Sequence, residues 1–181
     1  QQEEINRLII ERAASGKRVV RFKGGDSFVF GRGFEEIQAC QEAQIPVTVI
    51  PGISSPLAVP ALAGIPITHR GVTHDFTVVS GHLPPGHPDS LVNWNALAAM
   101  SGTLVLMMAV ENAEAITAEL ISHGRDAGTA AAIVSDGSLT SQSCFVTTLA
   151  GVPGVIAELK VRPPAIIIIG EVVGLSDGKP D

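Results

Sequence analysis

The sequence predicts an α/β fold, and three observations indicate it. Short runs rich in β-branched and other apolar residues alternate along the chain with helical stretches, the order typical of βαβ units and a parallel sheet. Turns mark the junctions, since the 181 residues include 19 Gly and 12 Pro. Hydrophobic residues make up 45% and charged residues 17% of the chain, a composition typical of a globular protein and not of a disordered one.

The first part of the chain is predicted to form two helices and two strands in alternation. Apolar residues at helical spacing predict the first helix, and a β-branched run predicts the first strand. The predicted elements are helix Gln2–Ser15, strand Arg18–Phe22, helix Glu35–Ala43 and strand Pro46–Ile50. A short helix follows, with Ser54 as its expected cap, and Pro60 is expected to bend or end it.

The remainder is predicted to form a mixed sheet with helices. The predicted elements are strand Asp75–Ser80, helix Leu91–Met100, strand Thr103–Ala109, helix Ala113–Ser122, strands Ala130–Val134 and Ser143–Leu149, helix Val155–Lys160 and strand Ala165–Ile169. Alternation within Ser143–Leu149 favours an antiparallel strand. The charge balance changes near Val72, where we place a domain boundary that gives domains 1–72 and 73–181.

The charge distribution narrows the class of partner. The net charge is −6, with eight Lys and Arg against seven acids up to Val72 and four against eleven from Thr73 onward. Nucleic acid is not expected as a partner, because no basic face carries interleaved aromatic residues. Binding of a small anionic ligand by a local basic cluster in the part of the chain up to Val72 is still possible. No apolar run is long enough to span a membrane.

Cysteine and histidine usage argues against disulfides and metal. Cys40 and Cys144 lie far apart without a C-x-x-C pair, which favours a reducing cytoplasm. The histidines are His69, His74, His82, His87 and His123. The spacing of the four between residues 69 and 87 fits no zinc ligand set, and no paired cysteines join them, so no metal site is expected.

The stretch Lys23–Gly33 carries the main functional signal. Gly24 and Gly25 directly follow a predicted strand, so the backbone can turn sharply and bring its N–H groups close to a ligand. Asp26 can accept a hydrogen bond from a ligand amine or cap the turn, and Arg32 can reach a cleft. The stretch is neither a P-loop nor a G-x-G-x-x-G dinucleotide loop. The competing interpretation is an ordinary glycine-rich turn.

Ordered motifs along essentially the whole chain resemble the uroporphyrinogen-III C-methyltransferases of the tetrapyrrole methylase family. The motifs are Arg21–Asp26, Phe28–Gly33, Pro51–Ser55, Gly64–Gly71, Gly81–His82, Thr103–Met108, Ser135–Ser138 and Pro163–Ile166. Ser27, Phe34 and Ala109 depart from the residues usual in the family. The family's first strand and loop, with residues assigned to proton transfer, are expected before Gln1.

The resemblance implies a two-domain tetrapyrrole methylase fold with a mostly parallel N-terminal sheet, here truncated, and a mixed C-terminal sheet. It implies methyl transfer from S-adenosyl-L-methionine to uroporphyrinogen III, giving precorrin-2 for sirohaem or cobalamin, by a cytoplasmic homodimer. The cofactor-binding residues that it implies are Gly24, Gly25, Asp26, Val29, Ser54, Ser55, Met108, Gly137 and Ala165. For Met108, burial in a strand core is the competing interpretation.

Two arginines are expected to bind the carboxylates of the tetrapyrrole. Arg32 and Arg70 lie in two of the motifs, and a guanidinium binds carboxylates through two parallel hydrogen bonds. Glu35, one turn after Arg32, is expected to orient it or to accept a pyrrole N–H, and Arg32 is the expected catalytic residue. A surface ion pair between Arg32 and Glu35 is the competing interpretation.

Other functions stay open at the level of the sequence. One alternative is another precorrin methyltransferase. A second is a non-enzymatic ligand-binding module, such as a catalytically incomplete cofactor-binding fragment. A third is a phosphate-handling nucleotide enzyme. The absence of a Lys-Ser/Thr phosphate motif argues against the last. Without the segment expected before Gln1, the chain alone is expected to be inactive and less stable than a complete one.

Overall fold

The computed structural model describes residues 1–176, which form two compact units. The first unit is Gln1–Ser54 and the second begins at Ser55. The units therefore divide earlier than the domain boundary near Val72, and the assignment of domains 1–72 and 73–181 stays a prediction. None of the described helices has the length and apolar character that would let it cross a membrane.

Two helices build the first unit. Helix α1 spans Gln2–Ala14 and helix α2 spans Gly33–Glu42, close to the predicted ranges, and the two pack against each other. Helix α1 is followed by Ser15 and then by Gly16, which adopts a φ of 79° that an L side chain rarely adopts. Gly33 and Cys40 lie on the buried side of α2.

The two strands predicted in the first unit are absent from the described part of the chain, and that prediction is wrong. Arg18–Phe22 and Pro46–Ile50 have no strand structure. The reason is that a strand exists only when a neighbour completes its ladder of hydrogen bonds, and β-branched composition supplies the propensity without the neighbour. Their apolar side chains are accordingly open to solvent, with Phe22 90% and Ile50 85% exposed.

The second unit is a five-stranded mixed sheet covered by helices on both faces, as predicted for the C-terminal part. In chain order its elements are α3 (Ser55–Leu62), β1 (Phe76–Ser80), α4 (Trp94–Ala99), β2 (Thr103–Met107), α5 (Ala113–Ser122), β3 (Ala130–Ser135), β4 (Ser143–Thr148), α6 (Val152–Glu158) and β5 (Ala165–Ile169). Short 3-10 helices occupy Leu149–Gly151 and Glu171–Leu175.

The sheet has the strand order β1-β2-β5-β3-β4. Strands β1 and β2 are parallel, whereas β5 runs antiparallel to both β2 and β3, and β4 antiparallel to β3. The last strand is thus inserted at the centre, which explains its uninterrupted Ile166–Ile169 run, because a central strand is buried on both faces. The prediction of an antiparallel strand β4 is confirmed.

Each face of the sheet has its own hydrophobic core. Helices α4, α5 and α6 cover one face, where Leu104, Ile133 and Ile167 are buried. Helix α3 and the 3-10 helix Glu171–Leu175 cover the other face, where Val105 and Ile168 are buried. Alternate residues of each strand therefore supply the two cores, as the period of a strand requires.

Local chemistry sets the element ends that differ from the predictions. Helix α4 begins at Trp94 because the side chain of Asn93 caps it, accepting from the backbone N–H of Ala96 at 3.0 Å. Helix α3 does not end at Pro60 but continues to Leu62. Helix α6 begins at Val152, earlier than predicted, with a proline in its first turn where the missing N–H costs nothing.

Candidate functional site

The glycine-containing stretch of the first unit folds into a closed loop. The backbone N–H of Gly33 donates to the carbonyl of Ser27 at 2.9 Å, and that of Val29 donates to the carbonyl of Asp26 at 3.3 Å. A Cβ on Gly31 or Gly33 would lie 2.7 or 2.6 Å from the Ser27 carbonyl oxygen. Glycine is therefore required at both positions for the two limbs of the loop to approach each other.

Asp26 joins this loop to the Pro-Gly turn that follows residues 46–50. One carboxylate oxygen accepts from the backbone N–H of Phe28 at 2.9 Å, and the other accepts from that of Gly52 at 3.0 Å. These two backbone donors hold the pKa of Asp26 below its ordinary value. Asp26 is thus an ionised carboxylate that fixes the relative position of two chain segments.

The two segments approach so closely that only glycine fits where they meet. A Cβ on Gly52 would overlap the Gly25 carbonyl oxygen and lie 2.7 Å from its carbon. Gly25 adopts a φ of 73°, and its own Cβ would lie 3.5 Å from the carbonyl oxygen of Ile53. The predicted cofactor residues Gly24, Gly25 and Asp26 therefore lie together with the turn that leads to Ser54.

The rest of the loop presents apolar side chains and an ion pair. Phe28 and Phe34 pack edge to face with ring centroids 6.1 Å apart, and Val29 is exposed beside them. The Arg32 guanidinium donates to both oxygens of Glu35, at 2.9 and 2.6 Å, and both side chains are exposed. This bond from Arg32 lowers the pKa of Glu35, so the pair is charged.

In the second unit, the predicted cofactor residues gather at one edge of the sheet. Strands β1, β2 and β3 run in one direction and β5 in the other, so the ends of the first three and the start of β5 lie at the same edge. There the N–H of Gly81 donates to the carbonyl of Met107 at 2.8 Å, and that of Asp136 donates to the carbonyl of Pro164 at 3.0 Å. Ala165 pairs with Ser135.

Two residues at this edge hold left-handed backbone conformations. Met108 has a φ of 54° and Asp136 a φ of 53°, each directly after the end of a strand. Such conformations are unfavourable for residues other than glycine and cluster where function requires a side chain to be re-aimed. The Met108 side chain is 47% exposed, so it is not part of the strand core, which was the competing interpretation.

Helix α3 packs against Gly137, the residue that follows Asp136 at this edge of the sheet. A Cβ on Gly137 would lie 2.5 and 2.6 Å from the two γ-carbons of Val59, one turn after Ser55 at the start of α3. Arg70 is exposed in a tight turn closed by paired backbone bonds between His69 and Thr73 at 3.1 Å.

The predicted site residues thus fall into two groups, one in each unit. The first unit holds Gly24, Gly25, Asp26, Val29, Arg32, Glu35 and Ser54, and the second holds Ser55, Arg70, Met108, Gly137 and Ala165. Among the residues that the structure describes, no three His, Cys, Asp or Glu side chains are grouped so that they could hold a metal ion.

The sequence did not point to the structural roles of two further residues of the first unit, Gly52 and Glu36. Gly52 belongs to the motif Pro51–Ser55 but was given no role of its own, and its packing against Gly25 has no sequence signal because the two lie far apart in the chain. Glu36 was assigned only to a helix, although it is a buried carboxylate with three side-chain donors. An acid placed on the apolar side of α2, together with Gly33 and Cys40, was the available signal.

Known proteins resemble the chain over nearly its full length. A family model described as Tetrapyrrole (Corrin/Porphyrin) Methylases matches residues 1–153. A siroheme synthase from Pseudomonas entomophila is 46% identical over 176 residues, which are 97% of this chain and 38% of the relative. An S-adenosyl-L-methionine-dependent uroporphyrinogen III methyltransferase from Methanosarcina barkeri is 43% identical over 176 residues, 97% of this chain and 69% of the relative.

A solved structure supports the same relationship. The uroporphyrin-III C-methyl transferase from Thermus thermophilus, complexed with S-adenyl homocysteine, superposes with a TM-score of 0.80 at 40% identity, covering 97% of this chain and 75% of that chain. The chain spans about two-fifths of the length of the siroheme synthases that it matches. The match over residues 1–153, together with these relatives, shows that the chain belongs to the tetrapyrrole (corrin/porphyrin) methylases.

Proposed function

We propose that the chain belongs to an enzyme that methylates carbon atoms of uroporphyrinogen III with S-adenosyl-L-methionine, giving precorrin-2. The observation that carries the proposal is the closed Gly24–Gly25–Asp26 turn against Gly52, in a chain 43% identical to a relative named for the cofactor and the substrate. Family membership supports a tetrapyrrole methyltransferase. The proposal that the tetrapyrrole is uroporphyrinogen III rests on the relative named for it.

In this reaction the main task of the protein is to bind the cofactor and the substrate and to orient their reacting atoms. The cofactor, when bound, supplies an electrophilic methyl group on a sulfonium centre. A porphyrinogen pyrrole carbon is an electron-rich, enamine-like nucleophile, so attack needs no strong base. The residues of the protein must hold the two reacting atoms about 3–3.5 Å apart and exclude water. A base is needed only when the pyrrole loses its proton.

The loop of the first unit has the features that a cationic, adenine-bearing cofactor requires. A Cβ on Gly24 would meet no atom within 4 Å, so open space adjoins the backbone there. Asp26 is held as an anion by its backbone donors, which suits a positively charged ligand nearby. We assign Gly24, Gly25, Asp26, Val29 and Ser54 to cofactor binding in this unit.

The edge of the sheet supplies the cofactor contacts that we propose for the second unit. Met108 is exposed there and offers a polarizable apolar surface, and its left-handed backbone directs it away from the strand core. Gly137 and Ala165 bring backbone to the same edge. Ser55 begins the helix that contacts Gly137, and we assign these residues to the cofactor as well.

Arg32 and Arg70 are assigned to the carboxylates of the substrate, which carries eight of them. Arg32 already holds the Glu35 carboxylate through two hydrogen bonds, which is the geometry that a substrate carboxylate would adopt after replacing it. Arg70 is exposed in its turn. Homodimeric assembly, a cytoplasmic location and a role in sirohaem or cobalamin synthesis belong to the same proposal.

The test is transfer of labelled methyl groups to uroporphyrinogen III by the chain in a full-length background, with the family's opening segment before it, and by an Arg32→Lys variant of the same protein. Lysine keeps the charge but loses the planar fork, so turnover and porphyrinogen affinity should each fall by about tenfold or more while cofactor affinity changes less than twofold. Arg7→Lys is the matched control, because Arg7 forms an exposed ion pair with Glu11 on α1. Equal methylation by the parent and the Arg32 variant would remove Arg32 from the substrate site.

A further inference from the structure

Glu36 is a buried acid to which the proposed function gives no role. It lies on α2 and is 6% exposed, the lowest exposure of any acidic residue in the described chain. An ionised carboxylate taken out of water is unfavourable unless cations and hydrogen-bond donors surround it. The surroundings of Glu36 therefore define what the residue does.

Three donors converge on the Glu36 carboxylate. Arg21 Nε lies 3.2 Å from Oε1, and Gln2 Nε2 lies 3.1 Å from the same oxygen. Lys23 Nζ lies 3.2 Å from Oε2. Burial disfavours ionisation, but the bonds from Gln2, Lys23 and Arg21 outweigh it and lower the pKa of Glu36, so the carboxylate is charged at neutral pH.

Arg21 and Lys23 come from the short segment that leads directly into the glycine turn. In an extended backbone, residues two apart point to the same side, so both side chains reach α2 together. Glu36 thus holds this segment at two points. The position of Gly24, the residue after Lys23, follows from those two contacts.

Lys23 also joins the beginning of the loop to its end. Its ammonium donates to the backbone carbonyl of Gly31, and its side chain is 14% exposed. One cation therefore contacts Glu36 and the far limb of the loop at once. Without a negative charge beside it, the Lys23 ammonium would be less stable in this partly buried position than in water, which would solvate it better.

We propose that Glu36 is a positioning residue that holds the glycine loop in its cofactor-binding conformation by anchoring Lys23 across the base of the loop. The inference rests on the proposed cofactor function of Gly24–Gly25–Asp26. Glu36 does not touch the ligand in this account. It acts through Lys23, which fixes both limbs of the loop before any ligand arrives, so that binding does not have to order them.

The binding test uses the chain with three changes, Glu36→Gln, Lys23→Met and the two together, titrated calorimetrically with S-adenosylhomocysteine. Each single change should lower the affinity for S-adenosylhomocysteine about tenfold. The double variant should bind as tightly as the single variant with the lower affinity, because the two residues act as one unit. Glu42→Gln makes the same chemical change at an exposed position of α2 and should leave affinity within twofold. Parent-like affinity of Glu36→Gln, or multiplied effects in the double variant, would overturn the proposal.

Hydrogen exchange without ligand tests the positioning role separately from cofactor binding. The amides of Val29 and Gly33, which bond within the loop, should exchange at least fivefold faster in Glu36→Gln. The amides of Ala43 and Ile45, which bond at the end of α2, should not change. Equal acceleration at all four sites would show that Glu36 only stabilises the unit, and no acceleration at any would show that it has no role. If the parent fails to bind S-adenosylhomocysteine, the proposed function fails while this measurement still decides the role of Glu36.

Discussion

Gly52→Ala is expected to separate the Pro-Gly turn from the glycine loop. The added methyl would overlap the Gly25 carbonyl oxygen and lie 2.7 Å from its carbon and 3.1 Å from the nitrogen of Asp26. These are backbone atoms, so no rotamer change relieves the overlap, and the carbon must move from 2.7 Å to the 3.4 Å of an ordinary contact. Overpacking of this kind costs about 1–3 kcal/mol.

The same movement would stretch the bond from the Gly52 N–H to Asp26, which is now 3.0 Å long. We therefore expect affinity for S-adenosylhomocysteine, measured by calorimetry, to fall at least tenfold, with the second unit unchanged by circular dichroism in the near ultraviolet. Gly154→Ala is the matched control, because its methyl would meet no atom within 4 Å in α6. An affinity within twofold of the parent in a folded Gly52 variant would refute the reasoning.

Three further expectations concern stability. Gly137→Ala would place a methyl 2.5 Å from a γ-carbon of Val59, so it should lower the free energy of unfolding by about 1–3 kcal/mol, and adding Val59→Ala should restore part of the loss in urea titrations. Arg125→Met should lower the free energy of unfolding by about 3 kcal/mol or more, because the buried guanidinium donates to three backbone carbonyls at 3.0 to 3.3 Å. Trp94 fluorescence during denaturation measures this change, and a decrease of less than about 1 kcal/mol would contradict the expectation. Since the folded-state pKa of Glu36 is lowered, its stabilising contribution should be complete above the ordinary glutamate pKa of about 4.3 and disappear as pH falls through the lowered value. Protection of loop amides, followed as the pH is lowered from 6, should show this loss in the parent and not in Glu36→Gln.

The elements of the second unit could be predicted because their signals are local. The apolar runs at Thr103–Met107 and Ala165–Ile169 are strands wherever they pair, and both were placed within two residues of the observed ends. The strand order was not predictable, since nothing local states that the last strand lies between β2 and β3. Side-chain caps such as that of Asn93 moved helix ends without changing which helices form.

The first unit shows why the remaining predictions failed. Arg18–Phe22 and Pro46–Ile50 have strand composition, but a strand is a property of a pair of segments, and neither has a paired neighbour in the described chain. The glycine loop was recognised from its motif, whereas the contacts that shape it join Asp26 to Gly52 and Lys23 to Glu36. Contacts between distant residues leave no trace in local composition.

Calorimetric titration of the chain with S-adenosylhomocysteine, in the parent and in a Gly25→Val variant, tests the central claim most directly. Gly25 has a φ of 73° and lies where the loop meets Ile53, so a β-branched side chain would strain the backbone and fill the space beside the ligand. We expect saturable binding by the parent, no binding of ATP, and affinity for S-adenosylhomocysteine at least tenfold weaker in the folded variant. Equal affinity in parent and variant, or parent affinity no greater for S-adenosylhomocysteine than for ATP, would contradict the assignment of the glycine loop to the cofactor.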